Sequence, residues 1–238
     1  MALAALAAVS CGTSVGGGNP SAPQPGLPVL PQPVAPGPAH PVTSGLEDLL
    51  VRVAASTQII RSYEALNQVQ EWSGTKQQRS QSKLLFRPPA TAKTEYTSGN
   101  AVPVGMVVLS QGGPTVQIKL PGALSFVRMT VSSRDSRART LVGLYPDEVT
   151  PAAFVQMLRH PAARLSLLGR ERVGARETAL VRIEGARFPG GMDAAVVGFD
   201  ALTGEWLLGR LYRQRQLTYE TAYLRRIERN IADGELEL

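Results

Sequence analysis

The chain predicts a mainly β domain of the α+β class: one antiparallel sheet with helices packed against one side. Three observations predict it. An amphipathic helical pattern opens the charged part of the chain. Short segments that alternate apolar and polar residues follow. Clusters of Gly, Pro and Asn separate those segments, as hairpins and loops require.

In chain order, Ser44-Gly45-Leu46-Glu47 has the spacing of a capping box, in which the Ser oxygen accepts from the first turn and the Glu reaches back. It predicts a first helix over Leu46 to Arg61, with Leu46, Leu49, Leu50, Val53 and Ile60 on one face. The period then changes. Val116, Ile118 and Leu120 alternate with Thr115, Gln117 and Lys119 as in a half-buried strand, and Ala179, Val181 and Ile183 alternate with Arg182 and Glu184 in the same way. Ser98-Gly99-Asn100, Gln111-Gly112-Gly113-Pro114, Phe188-Pro189-Gly190-Gly191 and Leu202-Thr203-Gly204 mark turns between strands. One more helix interrupts the strands. Thr150 caps it, Pro151 takes its first position, and it ends before His160-Pro161.

All 25 Lys+Arg and 19 Asp+Glu follow Thr43, so the net charge of +6 belongs to residues 44–238, a length that suits one core. What precedes is different. Residues 12–43 carry no charge and nine of the chain's 18 prolines, and cannot bury enough apolar surface to offset ordering. They are expected to form a disordered tether with polyproline II character. Gly12-Thr13-Ser14-Val15-Gly16 has the letters of a hydrolase nucleophile elbow but lacks the strand and helix that motif needs.

The lone cysteine, Cys11, stands directly after an apolar run from Leu3 to Val9 and the small residues Ala8, Val9 and Ser10. This arrangement resembles the lipobox of bacterial lipoproteins, with Ala8 where Leu is commoner and no basic residue ahead of it. The resemblance implies a signal peptide over 1–10, a lipid attached to Cys11, and a tether to 43. The apolar run is too short to span a bilayer as a helix. The expectation is therefore a folded domain on the periplasmic side of the cell envelope, held on a membrane through Cys11.

The inventory for catalysis is poor. Of the two histidines, His40 lies in the tether and His160 ends a helix. No Cys/His cluster has metal-ligand spacing and no phosphate-cradling Gly motif follows a strand, so no catalytic residue, metal or cofactor is expected. Asp147-Glu148 is read as complementing the positive end of the helix at Pro151. Arg outnumbers Lys 21 to 4, clustering at Arg134/Arg137/Arg139, Arg210/Arg213/Arg215 and Arg225/Arg226/Arg229. Only 5% of residues are aromatic, so a nucleic-acid surface with stacking side chains is not expected.

Four pieces, in order, resemble the outer-membrane lipoprotein-sorting superfamily, the LolA/LolB-like group that also includes the sensor RseB. They are Ser62-Tyr63-Glu64-Ala65 after the first helix, Leu84-Leu85-Phe86-Arg87-Pro88, Phe199-Asp200-Ala201-Leu202-Thr203-Gly204-Glu205-Trp206, and Tyr223 to Asn230 with Asp233. The third departs from the family pattern, with Glu205-Trp206 where Leu-Pro is usual. The resemblance implies a curved antiparallel sheet or half-open barrel whose concave face is covered by helices and holds acyl chains. It implies that Arg87 locks a helical lid, and that Trp72, Phe86 and Trp206 are candidates to line the ligand cavity. The implied partner is a lipid or a lipidated protein, bound by a monomeric carrier or acceptor in lipoprotein sorting, with the outer membrane favoured over the inner. The alternative is a non-enzymatic, RseB-like sensory or protein-interaction module.

Overall fold

The computed structural model describes residues 42–59, 61–135 and 139–238. Cys11, the leader, the tether up to residue 41, Ile60 and Arg137 lie outside the described residues; Val42 and Thr43, expected at the end of the tether, belong to the first helix.

The first helix, α1, spans Val42–Gln58 and so begins ahead of the predicted capping box, with Ser44 inside the helix instead of at its start. Leu49 and Val53 are its buried residues, at 1% and 4% exposure. Six strands follow: β1 (Tyr63–Ser73), β2 (Lys76–Arg87), β3 (Thr91–Gly99), β4 (Val107–Gln111), β5 (Thr115–Lys119) and β6 (Arg128–Ser132). The second helix, α2, spans Pro151–Leu158; as predicted, Pro151 opens it and the Thr150 hydroxyl accepts from the Ala153 N–H at 3.1 Å. Five strands complete the chain: β7 (Arg164–Val173), β8 (Arg176–Glu184), β9 (Ala194–Asp200), β10 (Trp206–Arg213) and β11 (Gln216–Glu228).

All eleven strands form one antiparallel sheet in the order β6-β5-β4-β3-β2-β1-β11-β10-β9-β8-β7. It is not closed: β6 and β7 are its edges. Register shifts interrupt the ladders at Leu66/Asn67, Gln81/Ser82, Leu167/Gly169, Trp206/Leu208 and Leu211/Tyr212. Such bulges bend strands and add twist. Curvature is strong enough that Gly174, in the β7–β8 turn, packs on the carbonyl of Leu224 in β11; a Cβ at Gly174 would lie 1.9 Å from that oxygen. Arg210 of β10 reinforces this coiling, pairing with Glu171 of β7 at 2.9 Å and Glu220 of β11 at 2.6 Å.

Alternation selects the inner face. Leu84 and Phe86 on β2, Ala65 and Val69 on β1, Val181 and Ile183 on β8, and Leu211 on β10 join Leu49, Val53 and Phe154 of the two helices in the main apolar core. α2 lies directly on β10: a Cβ at Gly209 would meet the Phe154 ring at 2.4 Å, so only glycine admits the helix this close. A second cluster around Tyr96, Met106, Val108, Val116 and Ile118 fills the β3–β5 end.

Candidate functional site

Phe86 and Trp206 come together on the inner face through a chain of rings. Phe86 stacks on Tyr63 at 5.1 Å between centroids, and Tyr63 meets Tyr223 at 6.0 Å. Tyr223 meets Trp206 edge-on at 4.8 Å, and Trp206 stacks on Phe154 of α2 at 5.9 Å. The two tyrosine hydroxyls lie 3.2 Å apart, one donating to the other. Trp72, near the other end of β1, belongs to the same apolar core. All three candidate cavity residues are at most 9% exposed. They are packed against neighbouring side chains as core, and the ring chain ties β2, β1, β11 and β10 to α2.

Space opens elsewhere. A cavity of about 280 Å³ lies between α1 and the β7–β8 hairpin. Its apolar floor is Leu49, Leu167, Ala179 and Ala201, and the charged Asp48, Arg52 and Arg170 line it as well. The Arg52 Nε–H is buried and has no hydrogen-bond acceptor. An apolar floor with a basic group at the side suits an amphiphile: a chain below and an acidic or carbonyl oxygen beside Arg52.

The turn between β9 and β10 holds α1 over this cavity. Asp200 builds the turn: its Oδ1 accepts from the Leu202 and Thr203 N–H groups at 2.9 and 2.8 Å, and its Oδ2 accepts from Arg176 at 2.6 Å. Burial alone pushes the Asp200 carboxyl up, but the turn's N–H groups and Arg176 outweigh it and hold the pKa below the usual value. The turn delivers Gly204, at φ +73°, against the backbone of α1; a Cβ there would lie 2.5 Å from the Arg52 carbonyl carbon and 2.6 Å from the Val53 nitrogen. Ser56 of α1 donates to the Gly204 carbonyl at 2.9 Å. The Asp-x-x-Thr-Gly turn is thus the latch of α1. Sequence reading marked it as a hairpin, and the letters carry no sign that its glycine touches a helix far away in the chain.

Arg87, for which the resemblance implies a lid role, makes its ion pair on the outer face. Leu84 and Phe86 face the core, so alternation sends Leu85 and Arg87 to the outer face. There Leu85 packs with Ile231 and Leu236, and Arg87 pairs with Asp233. Lys93 of β3 donates to the Glu235 carbonyl at 2.9 Å, and Arg229 binds Glu235 at 2.7 Å. Arg87 therefore pins the C-terminal segment, a 3₁₀ turn over Asp233–Leu236, to the outside of the sheet.

Glu71 is a buried acid that sequence reading passed over. It sits on the inner face of β1, 5% exposed, opposite Tyr219 of β11, and accepts from the Val142 N–H at 3.4 Å. It thereby holds the segment that runs from β6 to α2, whose Val142 and Leu144 plug into the core. Burial pushes its pKa up to about 7, against the opposing pull of its hydrogen bonds from Val142, Thr140 and Leu141.

The arginine clusters are mostly paired internally. Arg134 binds Asp147 at 2.6 Å and Glu148 at 3.3 Å, which occupies the acids placed at the α2 start. Arg226 pairs with Glu205 at 3.1 Å and covers the Tyr63 ring at 4.2 Å. Arg225 and Arg229 both reach Glu64, at 3.5 and 3.1 Å. Among the described residues no group of His, Cys, Asp and Glu could hold a metal ion, and no helix is long and apolar enough to cross a membrane.

No protein-family model and no curated protein sequence matches the chain. Solved structures do. MucB superposes with a TM-score of 0.52 at 17% identity, over 82% of this chain and 63% of MucB, so the chain spans less than two thirds of that protein. An uncharacterized conserved protein from Thermus thermophilus gives 0.49 at 12% identity, over 80% of this chain and 91% of that one. A LolA superfamily protein from Nitrosomonas europaea gives 0.41 at 12% identity, over 84% and 99%. At these identities the likeness concerns the fold. With its open eleven-stranded antiparallel sheet, inner-face helices and superposition on MucB, the chain shares the fold of the MucB structure.

Proposed function

We propose that this is a membrane-anchored lipoprotein of the cell envelope whose half-barrel binds acyl chains of a lipid or lipidated protein, as carrier or acceptor. The observation that supports it is the cavity under α1, with its apolar floor and the unpartnered Arg52 Nε–H at its side. Helix α1 suits the role of a cover, because Leu49 and Val53 alone among its described residues are fully buried and the Gly204 turn latches it. Lipid on Cys11 and the tether would keep this cavity within reach of the membrane that holds it, on the periplasmic side and by preference at the outer membrane.

The test uses the full chain with Cys11→Ser and a fluorescent long-chain fatty acid. Roughly ten buried methylenes at about 0.8 kcal/mol each supply the ~8 kcal/mol of micromolar binding before ordering losses. Uptake at micromolar or weaker affinity, blocked by Leu167→Trp in the cavity floor, supports the reading. No uptake sinks it.

One observation favours a second reading. Trp72, Phe86 and Trp206 are packed as core among the described residues, ring against ring or within the main apolar cluster. A sheet filled in this way suits a protein-interaction or sensory module, and MucB, a structure of this fold, has been solved in complex with MucA. Failure of acyl uptake with an intact fold would leave this second reading.

A further inference from the structure

The end of the sheet formed by β4, β5 and β6 differs from the rest of the surface. No acidic residue occurs between Glu95 and Asp135, in a chain with 19 of them. The loops at this end expose large apolar side chains: Val104 at 56%, Leu124 at 51% and Phe126 at 80%. They belong to one tip, because the β3–β4 loop packs on the β5–β6 loop; a Cβ at Gly105 would lie 3.2 Å from Pro121 Cβ. Met129, on the edge strand β6, extends the apolar surface at 40% exposure. Behind the tip, Lys119 and Arg128 stand directly opposite each other on β5 and β6. Two like charges in cross-strand register repel, and an anion beside them removes the repulsion. Arg128 also donates to an oxygen of Leu238 at 2.5 Å, and its side chain stays exposed.

Exposed apolar side chains in a patch mark a contact surface. The chemistry of the tip narrows what it contacts. From Leu120 to Val127 the loop reads Leu-Pro-Gly-Ala-Leu-Ser-Phe-Val, with Ser125 the only polar side chain. A protein interface carries roughly one hydrogen bond per 100–200 Å², with directional partners. A bilayer asks for none: it takes apolar side chains at the boundary of the acyl region and rewards basic groups at the level of anionic headgroups. We propose that this acid-free lobe, tipped by Val104, Leu124 and Phe126 and backed by Lys119 and Arg128, rests on an anionic lipid bilayer. The proposal builds on the envelope reading above, in which Cys11 supplies one attachment. An anchor on a long tether leaves the orientation of the domain free, and the lobe is the contact that fixes it.

The experiment uses the full chain with Cys11→Ser, so that no acyl anchor contributes. Flotation is measured with phosphatidylcholine vesicles and with vesicles that also contain phosphatidylglycerol. The chain is expected to float with the anionic vesicles, less so as salt is raised. Leu124→Ser with Phe126→Ser should weaken partition about tenfold or more, and Lys119→Gln with Arg128→Gln should abolish the preference for phosphatidylglycerol. Thermal unfolding should not change in either double variant, because the altered side chains at the tip are exposed. The Leu167→Trp variant separates the two membrane-related ideas: it blocks acyl-probe uptake and should leave flotation intact. No flotation of the parent overturns the proposal, as does equal flotation of the Leu124/Phe126 variant. A concentration-dependent dimer that the same variant abolishes, with no vesicle binding, would show a contact between copies and overturn it as well.

Discussion

Replacing Gly204 by Ala should lift α1 from the sheet and open the cavity beneath it. Two costs coincide at this position. A residue with a Cβ held at φ +73° is strained by about 1–2 kcal/mol. The new methyl would also lie 2.5 Å from the Arg52 carbonyl carbon and 2.7 Å from the Arg52 oxygen, which are helix backbone and cannot swing aside. Overpacking of this kind costs about 1–3 kcal/mol. The alternative open to the chain is to release α1, which forfeits the burial of Leu49 and Val53 at about 1.5–3 kcal/mol each. Both routes give a destabilisation of about 2–5 kcal/mol, or roughly 5–15 °C in Tm for a domain of this size. Calorimetry reads that loss, and the fatty-acid titration reads the cavity. If α1 is the cover, uptake should rise or quicken while Tm falls. Unchanged Tm together with unchanged uptake would show that Gly204 is not the latch. A fallen Tm with lost uptake would mean that α1 completes the binding site and does not gate it.

Other perturbations address separate contacts. Glu71 has a raised pKa, so its contribution to stability is fully present below the unfolded value of 4.5 and is lost as pH rises through about 7. Glu71→Gln should flatten that decline, and at pH 8 it should be the more stable protein by at most roughly 3 kcal/mol; parallel pH profiles of Tm for both proteins would contradict this. Arg87→Leu should free the segment around Asp233, raising amide exchange at residues 231–236, and lower stability by no more than about 1 kcal/mol, because the Asp233 partner is largely exposed. Loss of acyl uptake in Arg87→Leu, with the tail still protected, would support the lid role for this residue. Cys11→Ser should leave the protein unprocessed or free of membranes on fractionation, and an unchanged distribution would remove the lipid anchor.

Local chemistry was legible wherever one residue type has one physical use. Thr150-Pro151 marked the start of α2, and the alternation around Val116 and Val181 marked buried strand faces. Asp200-x-x-Thr-Gly was legible as a turn because Asp oxygens cap turn N–H groups wherever they occur. What that turn touches was not legible. Gly204 and Ser56 are separated by most of the chain, and no local pattern records which helix a hairpin will meet. Arg87 shows a signal present but unused: it is one residue from Phe86, and parity alone sends it to the opposite face. The start of α1 was misplaced because Ser44-Gly45-Leu46-Glu47 has a capping spacing, whereas the helix already begins at Val42. Glu71 escaped because an acid in an alternating strand belongs, by pattern, to the solvent.

The strand order has a consequence for how the protein is made. Every neighbouring pair in the sheet is a contact between consecutive strands, with one exception: β1 lies beside β11. The molecule is therefore two meanders, β1–β6 and β7–β11, sewn together along a single central seam whose two edges are the first strand and the last. Each meander can zip locally, but the seam waits for the whole domain to be present, and closing so long a loop is slow. A chain threaded through a membrane from its N-terminus would leave β1 with one edge unpaired until β11 emerged. Unpaired strand edges invite aggregation. Attachment of the N-terminus to a bilayer during that interval would keep half-made sheets apart from one another. On this topology the proposed lipid anchor would act during assembly, before the sheet is complete.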